Sequence, residues 1–256
     1  MKLRLVVACA VAAGTMMGFA KEAIVFVAAH PDDTEGFAGT AFLLREKYDI
    51  HVVDVTRGEL GLGLPGFKDG STAKTRMAEE RAACAYLGAT PHFLFEKDGF
   101  ACAGQESVDA LAKLLRELNP RAVFMHWPVD SHSDHVQATA VAVHALQEAG
   151  MRPKKSRPER YFYEVLRGQT LNWHPIYSVD ISSTITNKQE MLRKYACQNS
   201  GDEMVREKTE QAAARGTERY PHVPYAETFT TYGGFVIPGG VLEDLPGVRP
   251  APPSGE

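Results

Sequence analysis

Apolar and polar positions follow one another in blocks that suit a parallel sheet covered by helices. Residues 23–29 (AIVFVAA) form an unbroken apolar run, as expected of a strand buried on both faces. Helical spacing follows over 35–47, and 51–56 (HVVDVT) reads as a second strand. Residues 58–74, with five glycines, predict a long loop. Residues 75–87 predict a helix ended by Gly88, 92–95 a short strand, and 106–118 a helix stopped by Asn119-Pro120. A strand at 121–126 (RAVFMH) and a helix at 134–149 continue the rhythm. Beyond them the pattern is weaker, with strands at 161–165 and 176–181 and a helix at 188–197. There is no repeat and no internal linker. The β-α-β-α order predicts an α/β fold, Rossmann-like, with a mainly parallel sheet and helices on both faces.

The two ends of the chain differ from this body. Lys2 and Arg4 precede an apolar run over 5–13, and Gly18 and Ala20 supply small residues at the spacing of a cleavage site. Residues 1–20 therefore read as a secretory signal cleaved before Lys21, too short and too rich in Ala and Gly to span a bilayer. The mature protein is expected to be periplasmic or secreted, with no transmembrane span. Residues 21–245 form the folded domain of this reading, and the Pro- and Gly-rich 246–256 a mobile tail.

A hydrophobic fraction of 44% and a charged fraction of 23% allow an ordinary globular core. Without Lys2 and Arg4 the chain has 26 basic against 32 acidic residues, a net charge of −6. That balance argues against a nucleic-acid partner, which calls for a basic face. Cys84, Cys102 and Cys197 show no C-x-x-C spacing and no disulfide framework. One bridge among them and buried free thiols are both open.

Two clusters carry chemistry. His30-Pro31-Asp32-Asp33 follows the first strand, and His126-x-x-x-Asp130-x-His132-x-Asp134-His135 follows the strand at 121–126. Ligands of open α/β sheets bind at the carboxyl ends of strands, so neighbouring strands would bring both clusters to one crevice. Alone, either cluster reads equally as a turn with an aspartate capping a helix, Asp134 included. Together, their residue types suit a catalytic zinc, which takes three His or carboxylate ligands and leaves a position open. His30 and Asp33 can face one point from one loop, and His135 can arrive from the other. Asp32 is then free to act on a water and His132 to face the substrate oxygen or leaving amine. Asp32 and Asp33 have identical chemistry, so residue type does not separate them. Asp130 and Asp134 flank the histidines as candidate partners behind the ligands. Trp127 either stacks on a sugar or packs, His126 either backs a ligand or lies in the core, and the 58–74 loop is either a lid or a plain surface loop.

The pairing of Ala29-His30-Pro31-Asp32-Asp33 with Asp130-Ser131-His132-Ser133-Asp134-His135 resembles the LmbE-like, or PIG-L, family of zinc-dependent N-acetylglucosaminyl deacetylases. The likeness continues through Thr56-Arg57-Gly58-Glu59-Leu60-Gly61, Arg76-x-x-Glu79, Leu87-Gly88 and Asp98, and covers most of 23–200. It implies zinc ligation by His30, Asp33 and His135, and Asp32 as general base. It implies that His132 stabilises the tetrahedral intermediate, and that Glu59, Arg76 and Asp98 lie near the sugar. The substrate implied is an amino sugar or glycan. The family commonly has glutamate where this chain has Thr34 and proline where it has Ser133.

Three rivals stand beside this reading. A nucleotide-binding Rossmann protein is disfavoured because no G-x-G-x-x-G turn follows the first strand. A catalytically silent glycan-binding protein is disfavoured because every proposed catalytic position is present. A deacylase of a non-sugar N-acyl compound stays open, because specificity resides in loops.

Overall fold

The computed structural model describes residues 21–61, 71–151, 158–198, 202–218, 222–245 and the backbone of 249–250. Residues 1–20, read from the sequence as a leader, much of the 58–74 loop and most of 246–256 lie outside the described residues. The strands are β1 (Ala23–Ala28), β2 (Asp49–Asp54), β3 (Thr90–Phe93), β4 (Ala122–His126), β5 (Glu159–Tyr163), β6 (Tyr177–Asp180), β7 (Ala226–Thr231) and β8 (Arg249–Pro250). The helices are α1 (Ala38–Leu44), α2 (Ser71–Leu87), α3 (Gln105–Leu118), α4 (Ser133–Glu148), α5 (Ile185–Leu192) and α6 (Glu203–Thr217).

All eight strands join one sheet in the order β3-β2-β1-β4-β5-β7-β6-β8. The first five run parallel, and β7, β6 and β8 pair antiparallel. The mainly parallel sheet of the sequence reading is therefore what the chain forms. β1 pairs with both β2 and β4, setting Val25 opposite His51 on one side and Val123 on the other. Successive strands depart to opposite sides of β1, which makes the β1–β4 boundary the switch point where ligands of such sheets bind.

The alternation of β1 feeds two cores. Ile24 and Phe26 join α1, α2, α5 and α6 on one face, and Val25 and Val27 join α3 and α4 on the other. That is why β1 reads as continuously apolar. A column of rings, Phe37–Phe26–Phe124–Tyr161, stacks at centroid separations of 4.2, 4.5 and 4.8 Å across β1, β4 and β5. It fixes the start of α1, and the turn before it, to the centre of the sheet.

The elements depart from expectation in several places, among them the two-residue β8, which pairs with β6 inside the stretch read as a mobile tail, and α5, which begins and ends earlier than the helix read over 188–197. The helix expected over 35–47 divides into a 3-10 turn at Asp33–Gly36 and α1, because Phe37 has a φ of −139°. Gly36 packs so close that a Cβ there would stand 2.6 Å from the Glu164 carbonyl oxygen, which binds the turn to the chain after β5. β3 begins at Thr90 and contains Pro91, tolerated because β3 is an edge strand. α6 and β7 were not expected. α6 buries Val205, Lys208, Ala212 and Gly216, so its inward stripe contains a lysine. β7 is buried at all six positions, including Glu227, whose carboxylate meets Lys188 Nζ at 2.7 Å and accepts the Gly39 and Thr40 N–H groups at 2.9 and 2.8 Å. Buried charges satisfied by one another conceal both elements from hydrophobic patterning. Among the described residues no helix is long and apolar enough to cross a membrane, and Cys84, Cys102 and Cys197 are free thiols.

Candidate active site

β1 and β4 end side by side, so the turn after each opens on the same crevice. In the first turn the Asp33 carboxylate reaches back, its Oδ2 accepting the N–H groups of Ala29 and His30 at 3.0 and 2.8 Å. Asp32 takes a φ of 123°, a conformation that costs a non-glycine residue on the order of 1–3 kcal/mol. Two contacts hold it there. Its carbonyl accepts the Glu35 N–H at 2.9 Å, and its Oδ1 lies 2.7 Å from Arg76 Nη2. The same Arg76 nitrogen donates to the Pro31 carbonyl at 2.6 Å. Gly58 and Gly61 lie against this guanidinium, where a Cβ on either would stand 2.6 Å from an Arg76 atom. The glycines of the Arg57-Gly58-Glu59-Leu60-Gly61 stretch thus make room for the arginine that braces Asp32.

The second turn is organised by Asp130. Its Oδ1 accepts the His132 N–H at 2.8 Å and its Oδ2 the Thr170 hydroxyl at 2.9 Å. His132 is the N-cap of α4, with Nδ1 accepting the Asp134 N–H at 3.2 Å. The capping role open to Asp134 in the sequence is therefore corrected. The Asp134 carboxylate instead accepts the N–H groups of Gly99 and Ala101 at 2.6 and 3.3 Å, and its Oδ2 lies 3.2 Å from His30 Nε2. An imidazole has displaced the shorter acid as cap, and the freed carboxylate ties the loop after β3 to His30.

Between the turns, His30, Asp33 and His135 are all buried and offer ligand atoms within 4.8 Å of one another. His30, His132 and Asp134 form a second, overlapping group of the same kind. His135 Nε2 lies 3.5 Å from Asp33 Oδ1, while its Nδ1 lies 3.4 Å from Asp130 Oδ1 without hydrogen-bonding geometry. His126 is buried, its Nε2 accepting the Ala29 N–H at 2.9 Å and lying 3.3 Å from Asp33 Oδ2. It thus backs Asp33.

The electrostatics divide the groups. Burial disfavours the His30 cation, but Asp134, Asp33 and Asp98 overcome it and raise its pKa well above the usual histidine value. Burial likewise opposes a charged His135, and Asp33 and Asp130 raise it to about 9. Asp33 moves the other way, because His135 and His126 outweigh the burial that would raise it. Burial pushes His126 down to about 4, helped by the charge of His135. Burial pushes Asp32 up to about 6 against the pull of Arg76.

This donor set fits a divalent metal. Buried carboxylates surround two imidazoles that, without an ion, balance the negative charge by taking up protons. A divalent ion at this group would be held by His30, Asp33 and His135 and would supply the positive charge that those protons supply without it. His135 then has Asp130 behind its second nitrogen, the arrangement that orients metal-bound histidines.

A cavity of about 570 Å³ opens on this group, walled in part by Asp32, Arg76, Asp98 and His132. Of the three residues expected near a sugar, two line it. Asp98 Oδ1 lies 3.3 Å from His30 Nε2, and its Oδ2 accepts the Leu60 N–H at 2.8 Å. Arg76 is 4% exposed and its guanidinium is engaged with Asp32 and Pro31. Glu59 is not on the wall. Its Oε2 accepts the Asp98 N–H at 3.3 Å, so it supports Asp98 from outside. Trp127 packs, its indole N–H donating to the Leu171 carbonyl at 3.0 Å and its ring meeting Phe162 and Trp173.

Sequence reasoning missed the far wall, which α6 supplies through Glu203, Met204, Glu207 and Lys208. Lys208 is buried there and pairs with Glu35 at 2.7 Å. The available signal was the spacing itself, since 203, 204, 207 and 208 recur on one face of a helix.

Residues 25–146 match the family model described as GlcNAc-PI de-N-acetylase, PIG-L. A conserved protein of Thermus thermophilus is 30% identical, with 84% of this chain aligned to 96% of that one at a TM-score of 0.69. The 4-oxalmesaconate hydratase of Pseudomonas putida is 28% identical over 196 residues, 70% of this chain and 74% of that protein. A 1D-myo-inositol 2-acetamido-2-deoxy-alpha-D-glucopyranoside deacetylase of Catenulispora acidiphila is 29% identical over 163 residues. That match covers 52% of this chain and 54% of the deacetylase, so the chain spans about half of that relative's length. With the two histidine-bearing turns at the sheet's switch point and a likeness that runs from β1 through α4, this chain belongs to the PIG-L family of deacetylase-type hydrolases.

Proposed function

We propose that the protein is a zinc-dependent hydrolase that removes the acetyl group from an N-acetylglucosamine-type amino sugar or glycan, outside the cytoplasm. The observation that carries this reading is the convergence of His30, Asp33 and His135 beside a second, separately held carboxylate, Asp32, on one cavity wall. When bound by the three ligands, zinc supplies Lewis acidity toward the acetamido carbonyl and toward a water. Asp32, braced by Arg76 and with its pKa raised to about 6 by burial, accepts the proton that this water gives up on attack. His132 presents the ring edge not used for capping toward the cavity, where its N–H donates a hydrogen bond to the developing oxyanion, and the proton taken up by Asp32 passes to the leaving nitrogen. Amide and water become amine and acetate. The acidic mature chain and its expected leader suit a glycan substrate met outside the cytoplasm.

The hydratase relative supports a second reading, in which the same centre adds water to a carbon–carbon double bond. Acetate release from a panel of N-acetylated sugars and N-acetyl peptides separates the readings. Measurements are made on metal-stripped protein and again after zinc is restored. Sugar-selective acetate release that follows zinc supports the proposal. Release from peptides alone moves the substrate to a non-sugar amide. No release from any amide, with loss of a conjugated enoate's absorbance, assigns the hydratase reading instead.

A further inference from the structure

The cavity wall is unevenly charged. Its side chains include six carboxylates and two fixed cations, Arg76 and Lys208. Both cations are already committed. Arg76 meets Asp32 at 2.7 Å, and Lys208 meets Glu35 at 2.7 Å while donating to the Val165 carbonyl at 3.0 Å, with only 4% of its side chain exposed. Asp33 and Asp98 face the histidines of the centre. That leaves Glu203 and Glu207, one turn apart on α6 and both exposed. Glu203 lies 3.9 Å from Arg206, on the exposed side of the same helix. Among the described residues, no unpaired cation lines the cavity.

Position adds to charge. Glu207 is followed directly by Lys208, whose partner Glu35 lies two residues beyond Asp33. The acidic pair and the reacting end thus line one cavity, in which the unit next to the reacting sugar would also lie. Leu60, Val165, Leu166 and Met204 supply apolar surface on the same wall, suited to the faces of sugar rings. A cavity of about 570 Å³ lies within the range of roughly 300–1,000 Å³ that encloses multi-ring ligands. A carboxylate or phosphate there would meet two like charges at close range, whereas an ammonium would meet two opposite ones.

We infer that the preferred substrate is an amino-sugar oligomer already deacetylated in part, whose neighbouring unit carries a free amine that lodges between Glu203 and Glu207. This rests on the deacetylase reading and names its substrate class. Such a substrate requires an earlier N-deacetylation of the same polymer, by another enzyme or by this one.

The test compares three N-acetylglucosamine disaccharides with the zinc-loaded protein at low salt, their second unit bearing a free amine, an acetamide or a carboxylate. The amine-bearing one should be favoured over the neutral one by about three- to tenfold in kcat/KM, as expected of one or two exposed ion pairs. The carboxylate should be the poorest, and raising the salt should compress the series. In the Glu203→Gln, Glu207→Gln double variant the amine-to-neutral ratio should fall toward one. Calorimetric binding of the glucosamine dimer to metal-free protein should weaken in that variant by the same ratio, a readout independent of turnover. A neutral substrate preferred to the amine, or a preference that survives in the double variant, overturns the inference and leaves the deacetylase reading standing. Acetate released from none of the three overturns both.

Discussion

In the parallel half of the sheet, β3, β2, β1, β4 and β5 send aliphatic and aromatic side chains into two helical layers, and the polar groups gather at strand ends. In the antiparallel half, charges are buried inside the structure and joined in pairs. Glu227 meets Lys188 at 2.7 Å, Glu164 meets Arg215 at 2.6 Å, and Glu35 meets Lys208 at 2.7 Å across the junction with α6. The first half buries charges too, Asp54, Glu80 and the Glu159–Arg121 pair among them, but its two cores are built from aliphatic and aromatic side chains, and its reactive cluster stands apart from them at the strand ends. The second half builds the far wall with charges that its own fold depends on. Catalytic groups can thus be exchanged in the first half at modest cost in stability, whereas charge changes in the second half threaten the fold.

The largest effect should come from the metal ligands. Asp33→Ala should lose bound zinc and turnover together, with elemental analysis and acetate release measured on the same sample. Asp32→Asn should keep its zinc and lose about 10²–10⁴-fold in kcat, the usual worth of a positioned base. If Asp32→Asn loses metal while Asp33→Ala retains it, the two roles are reversed. The next effects are on stability and bear directly on the two halves. Glu227→Ala leaves Lys188 buried without its carboxylate and strips two N–H groups of α1 of their acceptor. It should cost about 3–5 kcal/mol. Ile24→Val, in the aliphatic half, should cost only about 0.5–1.5 kcal/mol. Urea unfolding of both variants checks the ratio, and equal costs would dissolve the contrast between the halves. The smallest effect is a gain. Ser133 is the first residue of α4, and His132 before it has φ −89° and ψ 116°, a conformation proline accepts in its predecessor. Ser133→Pro should stabilise the protein by about 0.4–1 kcal/mol, seen as a higher unfolding midpoint.

The same division explains what could be read from the sequence. β1, β2 and β4 announce themselves because both their faces are apolar, and α3 because its inward stripe, Val108, Leu111, Ala112 and Leu115, keeps helical spacing. The two reactive turns are legible because His and Asp have few reasons to cluster twice at strand ends. α6 and β7 are not legible, since Lys208 and Glu227 occupy inward positions where a pattern expects aliphatics. Their partners lie far away in the chain. Glu35 is 173 positions before Lys208, and Lys188 is 39 before Glu227, so no local window contains either pair. Arg76 was legible as important, but its brace on Asp32 depends on a contact 44 residues away in sequence.

The capping of α4 by His132 has a consequence of its own. Because Nδ1 accepts the Asp134 N–H, the neutral ring must carry its proton on Nε2, and it cannot turn over without uncapping the helix. The hydrogen-bond donor offered to the cavity is therefore only as persistent as the first turn of α4. Fraying of that turn would release the ring long before the sheet gives way. Activity should then decline with temperature ahead of global unfolding, and amide exchange at Asp134 should report the loss.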